Sequence, residues 1–321
     1  MLKQPIFMTP VLQEKIWGGT KLRDIYHYDI PSDKTGECWA ISAHPNGMGH
    51  VLPENEFAGE SLADLFTNQP ELFGNPQVDV FPLLTKIIDA ADDLSVQVHP
   101  DDAYGLEREG ELGKTECWYV IDADPGAKIV YGHTAKTREE LAERIHKGEW
   151  TELLEEVEVK AGDFFFVPSG TMHAIGAGVT ILETQQSSDT TYRVYDYDRK
   201  DDQGNERELH IQQSIDVTTV PHYIAPFDQK VEKIGESELI TLIESDYFNV
   251  FHWLINSPVK LNQVNKYMLV SVLEGEGTIM IDENEWPLAK GQHFIIPATV
   301  STWKLSGNLD IIASTPGVKN N

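Results

Sequence analysis

Ala161-Gly162-Asp163-Phe164-Phe165-Phe166-Val167-Pro168-Ser169-Gly170 reads as a glycine turn, an apolar strand and a stop. Proline has no N–H for the next ladder bond, so the strand ends at Pro168. The same pattern returns at Lys290-Gly291-Gln292-His293-Phe294-Ile295-Ile296-Pro297-Ala298-Thr299. Upstream of each copy lies a comparable turn, Asp122-Ala123-Asp124-Pro125-Gly126 before the first and Leu273-Glu274-Gly275-Glu276-Gly277 before the second. Repetition of one supersecondary unit, in a chain of short β-branched and aromatic runs broken by Gly, Pro and Asp, predicts a mainly β protein of two related β-barrels with a few short helices. One difference between the copies carries functional weight. Five residues after Pro168 stands His173, whereas five after Pro297 stands Thr302, so a ligand available to the first barrel is missing from the second.

The 321 residues suit about two domains. The Pro226-rich and then charged stretch at 225–238 is the expected boundary. It separates a metal-binding unit, 1–230, from a C-terminal barrel, 231–321, without the metal site. Helical patterning is confined to Ser61–Phe66, Leu209–Val217 and Thr137–His146, and the last accounts for the extra length of the first repeat. Cys38 and Cys117 make no disulfide framework and are expected as reduced thiols. The absence of an apolar leader or a long apolar run predicts a cytoplasmic protein with no membrane association. A net charge of −27 repels phosphate backbones and argues against nucleic acid as a partner. It also repels an anionic metabolite, so any phosphorylated substrate must meet a local pocket of positive charge.

Candidate chemistry lies on alternating strands. Leu94-Ser95-Val96-Gln97-Val98-His99-Pro100 turns Ser95, Gln97 and His99 to one face, and Lys114-Thr115-Glu116 does the same for Lys114 and Glu116. With His173, which follows the Pro168-Ser169-Gly170 turn, these residues offer two imidazoles, a carboxylate and an amide oxygen, a reasonable N/O set for a divalent metal. Each has an ordinary reading too: a strand histidine satisfied in the core, or Lys114 and Glu116 as a simple ion pair. Glu183 shares a face with Gln185, and Arg193 with Tyr195 and Tyr197. An arginine directed into a barrel requires an anion, whether a substrate group or one of the chain's many carboxylates.

Leu94–Asp102, Gly113-Lys114-Thr115-Glu116-Cys117-Trp118 and Val167–Ala174 together resemble type I phosphomannose isomerases, as does Ile16-Trp17-Gly18-Gly19 near the start. The resemblance covers residues 5–220 well and the C-terminal barrel loosely. It implies two cupin-type (jelly-roll) barrels and the interconversion of mannose 6-phosphate and fructose 6-phosphate through an enediol. It also implies one zinc ion per chain on Gln97, His99, Glu116 and His173. Arg193, ten residues after Glu183, falls at the family's catalytic arginine, Glu183 at a pocket carboxylate and Lys114 at the active-site lysine. Ser95 and Trp17 are assigned to the substrate, Ser95 on its phosphate with Lys86 or Arg193. The chain departs from longer relatives in lacking a large helical domain, in whose place stands only the stretch around 137–150.

The implied reaction needs an electrophile for the carbonyl oxygen, a base for the carbon-bound proton and a grip on the phosphate. Lys114 and Glu183 both stand as candidate base, and a neighbouring dication is expected to disfavour the charged form of Lys114. A hexose 6-phosphate is the expected small-molecule partner, and the chain is expected to be a monomer or weak homo-oligomer. Another hexose-phosphate isomerase on the same barrel and a non-catalytic sugar- or metal-binding cupin are the competing functions.

Overall fold

Alternation along the strand Glu116–Ala123 sets the layering. Glu116 and Trp118 turn to one side, while Cys117 and Tyr119 on the other join a large apolar cluster with Ile87, Leu182, Phe248, Leu273 and Ile312. One face of this sheet is thus committed to the C-terminal half of the chain and the other is left for polar chemistry. The structure, a computed structural model, describes residues 2–201, 203–263 and 266–320.

Among the described residues the fold is mainly β, in three antiparallel sheets. A six-stranded sheet runs in the order Phe164–Val167, Glu116–Ala123, Val179–Gln186, Leu83–Asp89, Thr35–Ile41 and Val11–Gly19. A five-stranded sheet runs Tyr192–Tyr195, Val96–Val98, His173–Ile175, Lys128–His133 and Leu154–Glu158. The third, of ten strands, is built chiefly from residues after Lys230, yet Ile6–Thr9 pairs with His293–Ile296 within it, Ile6 opposite Ile295. This sheet therefore takes strands from both sides of the division expected at residues 230 and 231. The two repeats occupy equivalent local roles, Phe164–Val167 and His293–Ile296 each ending at the proline that stops the ladder.

The three anticipated helices form. Ser61 Oγ accepts from Asp64 N at the start of Leu62–Asn68, and Thr137 Oγ1 accepts from Glu140 N at the start of Arg138–Lys147. Gly148 closes the latter with φ +67°, a conformation that costs glycine nothing. The third runs Ile211–Val217, two residues short of its expected start. His210 is held out of it by the Arg193 backbone: His210 N donates to Arg193 O at 2.8 Å, and Arg193 N donates to His210 Nδ1 at 3.1 Å. Both cysteines are free and buried, and burial pushes the Cys38 thiol up to about 12. Among the described residues, no helix is long and apolar enough to cross a membrane.

Candidate active site and metal centre

The polar face of the six-stranded sheet carries a row of alternating charges, Lys15, Glu37, Lys86 and Glu183 from successive strands and then Lys114 and Glu116 from the segment that enters Glu116–Ala123. Lys15 Nζ lies 3.2 Å from Glu37, Lys86 Nζ lies 3.8 Å from Glu37 and 4.0 Å from Glu183, and Lys114 Nζ lies 3.9 Å from Glu183 and 3.1 Å from Glu116. Register produces the row, since Lys86 is the cross-strand partner of Glu183 on one side and of Trp39 on the other. Buried charges persist only when each is paired and hydrogen-bonded. Trp39 Nε1 accordingly donates to Glu37 at 2.7 Å, and Trp118 Nε1 donates at 3.1 Å to both Glu116 Oε1 and Glu183 Oε2. Burial tends to raise the Glu37 carboxyl, but Lys86 and Lys15 outweigh it and bring it down to about 2. Glu183 goes the other way, raised by burial and by the charge of Glu116.

Apart from any bound cation, two carboxylates set the charge balance at Lys114. Burial pushes its pKa down, but the carboxylates of Glu116 and Glu183 prevail and hold the ammonium above the ordinary lysine range. The strand-level reading saw one carboxylate beside Lys114. The fold adds a second, from a strand about seventy residues later.

Facing this row is the five-stranded sheet, in which Gln97 is the direct cross-strand partner of His173 on one side and of Arg193 on the other. His99 follows on the same strand face. His99 Nε2 stands 3.5 Å from Glu116 Oε2, and His173 Nε2 stands 3.3 Å from Glu116 Oε1, so the two walls meet at these three residues. Their ligand atoms lie within 4.8 Å of one another. The protonation pattern tests whether a cation fits. His99 Nδ1 donates to Thr190 O at 2.9 Å and His173 Nδ1 to Thr171 O at 2.8 Å, because a carbonyl can only accept. Burial pushes both imidazoles down, His173 to about 4, so each is neutral with a bare Nε2. His99 Nε2 and His173 Nε2 are buried without a hydrogen-bond partner, and Glu116 Oε2, also buried, is paired with the Lys114 ammonium at 3.1 Å. Two bare imidazole nitrogens and a carboxylate oxygen converging on one point fit a divalent cation.

A cavity of about 300 Å³ opens beside these donors. Ser95, Gln97, Lys114, Glu183 and Arg193, all singled out in the sequence, line it together with Trp17 and Lys86. Trp17 reaches the wall because Gly36 lies beneath its ring: a Cβ there would sit 2.5 Å from Trp17 Cζ3. Arg193 donates from Nη1 to Glu208 O at 2.8 Å, and among the described residues no carboxylate forms an ion pair with it. Arg207, by contrast, is held by Asp196 through two bonds of 2.8 and 2.6 Å. Sequence reasoning missed Lys15, Glu37, Asp189, Thr191 and Arg207 as lining residues. The two-residue spacing of Lys15 and Trp17 was a usable signal for the first of these. Thr191, two residues before Arg193, carried the same signal, and Asp189 and Arg207 carried none.

The site can be compared with known proteins. A family model described as "Phosphomannose isomerase type I, catalytic domain" matches residues 6–151, and one described as "Mannose-6-phosphate isomerase, cupin domain" matches residues 238–316. The mannose-6-phosphate isomerase of Streptococcus mutans is 56% identical over 315 residues, which are 98% of each chain. A mannose-6-phosphate isomerase of Bacillus subtilis is 50% identical over 315 residues, 98% of this chain and 99% of that one. The crystal structure of the mannose 6-phosphate isomerase from Bacillus subtilis matches with a TM-score of 0.94 at 48% identity, covering 97% of this chain and 99% of the other.

Proposed function

The chain belongs to the type I phosphomannose isomerase family, whose members interconvert mannose 6-phosphate and fructose 6-phosphate, and from that premise we propose that its reaction is a metal-assisted enediol proton transfer. Gln97, His99, Glu116 and His173 would hold a divalent ion, zinc in our reading, which when bound supplies Lewis-acid polarisation of the sugar oxygens. Glu183 is the base. Its Oε2 is anchored by Trp118 at 3.1 Å, while its Oε1 makes no hydrogen bond, with Lys114 and Lys86 at 3.9 and 4.0 Å, and that unanchored oxygen in the cavity wall is the observation that carries the assignment. The carboxylate takes the proton from C2 of the open-chain aldose, and the C–H electrons form the C1–C2 double bond as the carbonyl oxygen gains a proton. Loss of the O2 proton and return of the carried proton to C1 complete the ketose. A carboxyl raised by burial is a stronger base than an ordinary one. Lys114, held as an ammonium, donates to the sugar oxygens during the transfer.

Arg193 is a cavity cation with no carboxylate partner among the described residues, and it meets the negative charge that develops on the sugar oxygens. Ser95 and Trp17 contact the substrate, Ser95 on the phosphate side, with Lys86 or Lys15 as the neighbouring cation. Truncating Arg193 to alanine should lower kcat by about 10²–10³-fold with metal content and thermal unfolding unchanged. If turnover survives, the guanidinium is only a tether for the Glu208 carbonyl.

Proton transfer is separable from a hydride shift. Isomerisation of mannose 6-phosphate in ²H₂O, followed by NMR, should leave deuterium at C1 of the fructose 6-phosphate, because a carboxyl-held proton exchanges with solvent. Complete retention of the original hydrogen in the product would count against the enediol route.

A further inference from the structure

Glu111 lies outside the cavity, in the segment leading to Lys114, yet it grips three consecutive residues of the loop joining Val179–Gln186 to Tyr192–Tyr195. Its Oε2 accepts from Ser188 Oγ at 3.2 Å, from Asp189 N at 3.1 Å and from Thr190 Oγ1 at 3.0 Å, and its Oε1 lies 3.4 Å from His44 Nε2. Hydrogen bonds to an ionised acceptor are the stronger kind, and three on one oxygen define the path of that loop. From the other side Asn46 Nδ2 donates to Asp189 at 2.9 Å, and Gln185 Nε2 donates to Ser188 O at 2.8 Å.

The gripped segment is the one on which the metal centre leans. Thr190 O accepts the Nδ1 proton of His99 at 2.9 Å, which sets both the tautomer and the ring plane that aim Nε2 at the centre. Its flanking residues Asp189 and Thr191 line the cavity. We propose that Glu111 is a positioning residue: it fixes the Ser188–Thr190 segment, and through the Thr190 carbonyl it orients His99 as a metal ligand. This rests on the metal reading given above. Among the described residues, no other joins the segment carrying Lys114 to the loop carrying the His99 acceptor by so many bonds, and loosening it frees the imidazole to rotate.

The test is cobalt binding by the full-length protein, read from the visible absorption of the bound ion and by competition with a chelator. Glu111→Ala should weaken cobalt affinity by about ten- to a hundredfold and alter the absorption. Glu111→Gln keeps an acceptor oxygen for the same donors and should stay within about threefold of wild type. Wild-type affinity and spectrum in Glu111→Ala, with any loss confined to thermal stability, would overturn the proposal. Amide hydrogen exchange in the metal-free protein supplies a second readout, since Asp189 N donates directly to Glu111 and should exchange at least about tenfold faster in Glu111→Ala. Unchanged exchange there also overturns it. If wild type bound no cobalt, the metal assignment would fall, and the exchange result would still decide whether Glu111 holds the loop. Should Glu111→Ala not fold, Thr190→Val replaces it: one of the three bonds is lost, the carbonyl that serves His99 is kept, and a few-fold loss of cobalt affinity is expected.

Discussion

Dialysis against a strong chelator is expected to abolish the conversion of mannose 6-phosphate to fructose 6-phosphate, and one equivalent of zinc to restore it. The residual rate should be at least about a hundredfold below that of the loaded enzyme, the scale for losing one electrostatic stabiliser of a developing oxyanion. The expectation follows from the donor set: two neutral imidazoles with bare, buried Nε2 atoms and a buried carboxylate oxygen shared with the Lys114 ammonium. Protons compete with a cation for the two imidazole nitrogens only where those rings titrate. Burial brings His173 down to about 4, far below the ordinary 6.5, and His99 lies well below it too. Metal retention should therefore persist through the neutral and mildly acidic range and fail as the pH falls toward about 4, measured as free metal after equilibration. Full activity in a verified metal-free sample would rule out the Lewis-acid role.

Replacing Glu183 by glutamine should lower kcat by about 10²–10⁴-fold, the range for removing a positioned general base. The amide is nearly isosteric and still accepts from Trp118, so metal content and fold should be unaffected. Wild-type kcat/KM should fall on acidification as the Glu183 carboxylate is protonated. The sign follows from the base's need to be ionised, and burial, the largest influence on this carboxyl, acts to raise it. That acid limb should vanish in Glu183→Gln. Retained turnover in the variant would move the base assignment to Lys114, the other candidate the sequence offered.

Much of the site was legible because a strand repeats every two residues. Gln97 with His99, and Lys114 with Glu116, share faces whatever the rest of the chain does. The resemblance to phosphomannose isomerases supplied roles that periodicity could not, Arg193 and Glu183 above all. Asp189 and Arg207 were invisible, because a connecting segment has no period and its path is set by distant side chains. Glu111 escaped notice for the same reason: its partners are about seventy-seven residues away.

The chain by itself determined its strands, their inward faces and their stops, from Pro168 and Pro297 to the cap at Thr137, since these depend on neighbours in sequence. Tertiary structure decided which strands lie side by side, and with them the electrostatics. Lys86 opposite Glu183, Lys114 between two carboxylates and Thr190 beneath His99 are matters of register and long-range contact. A charge state depends on every group within a few ångströms, and local periodicity carries no information about which distant strand will supply them.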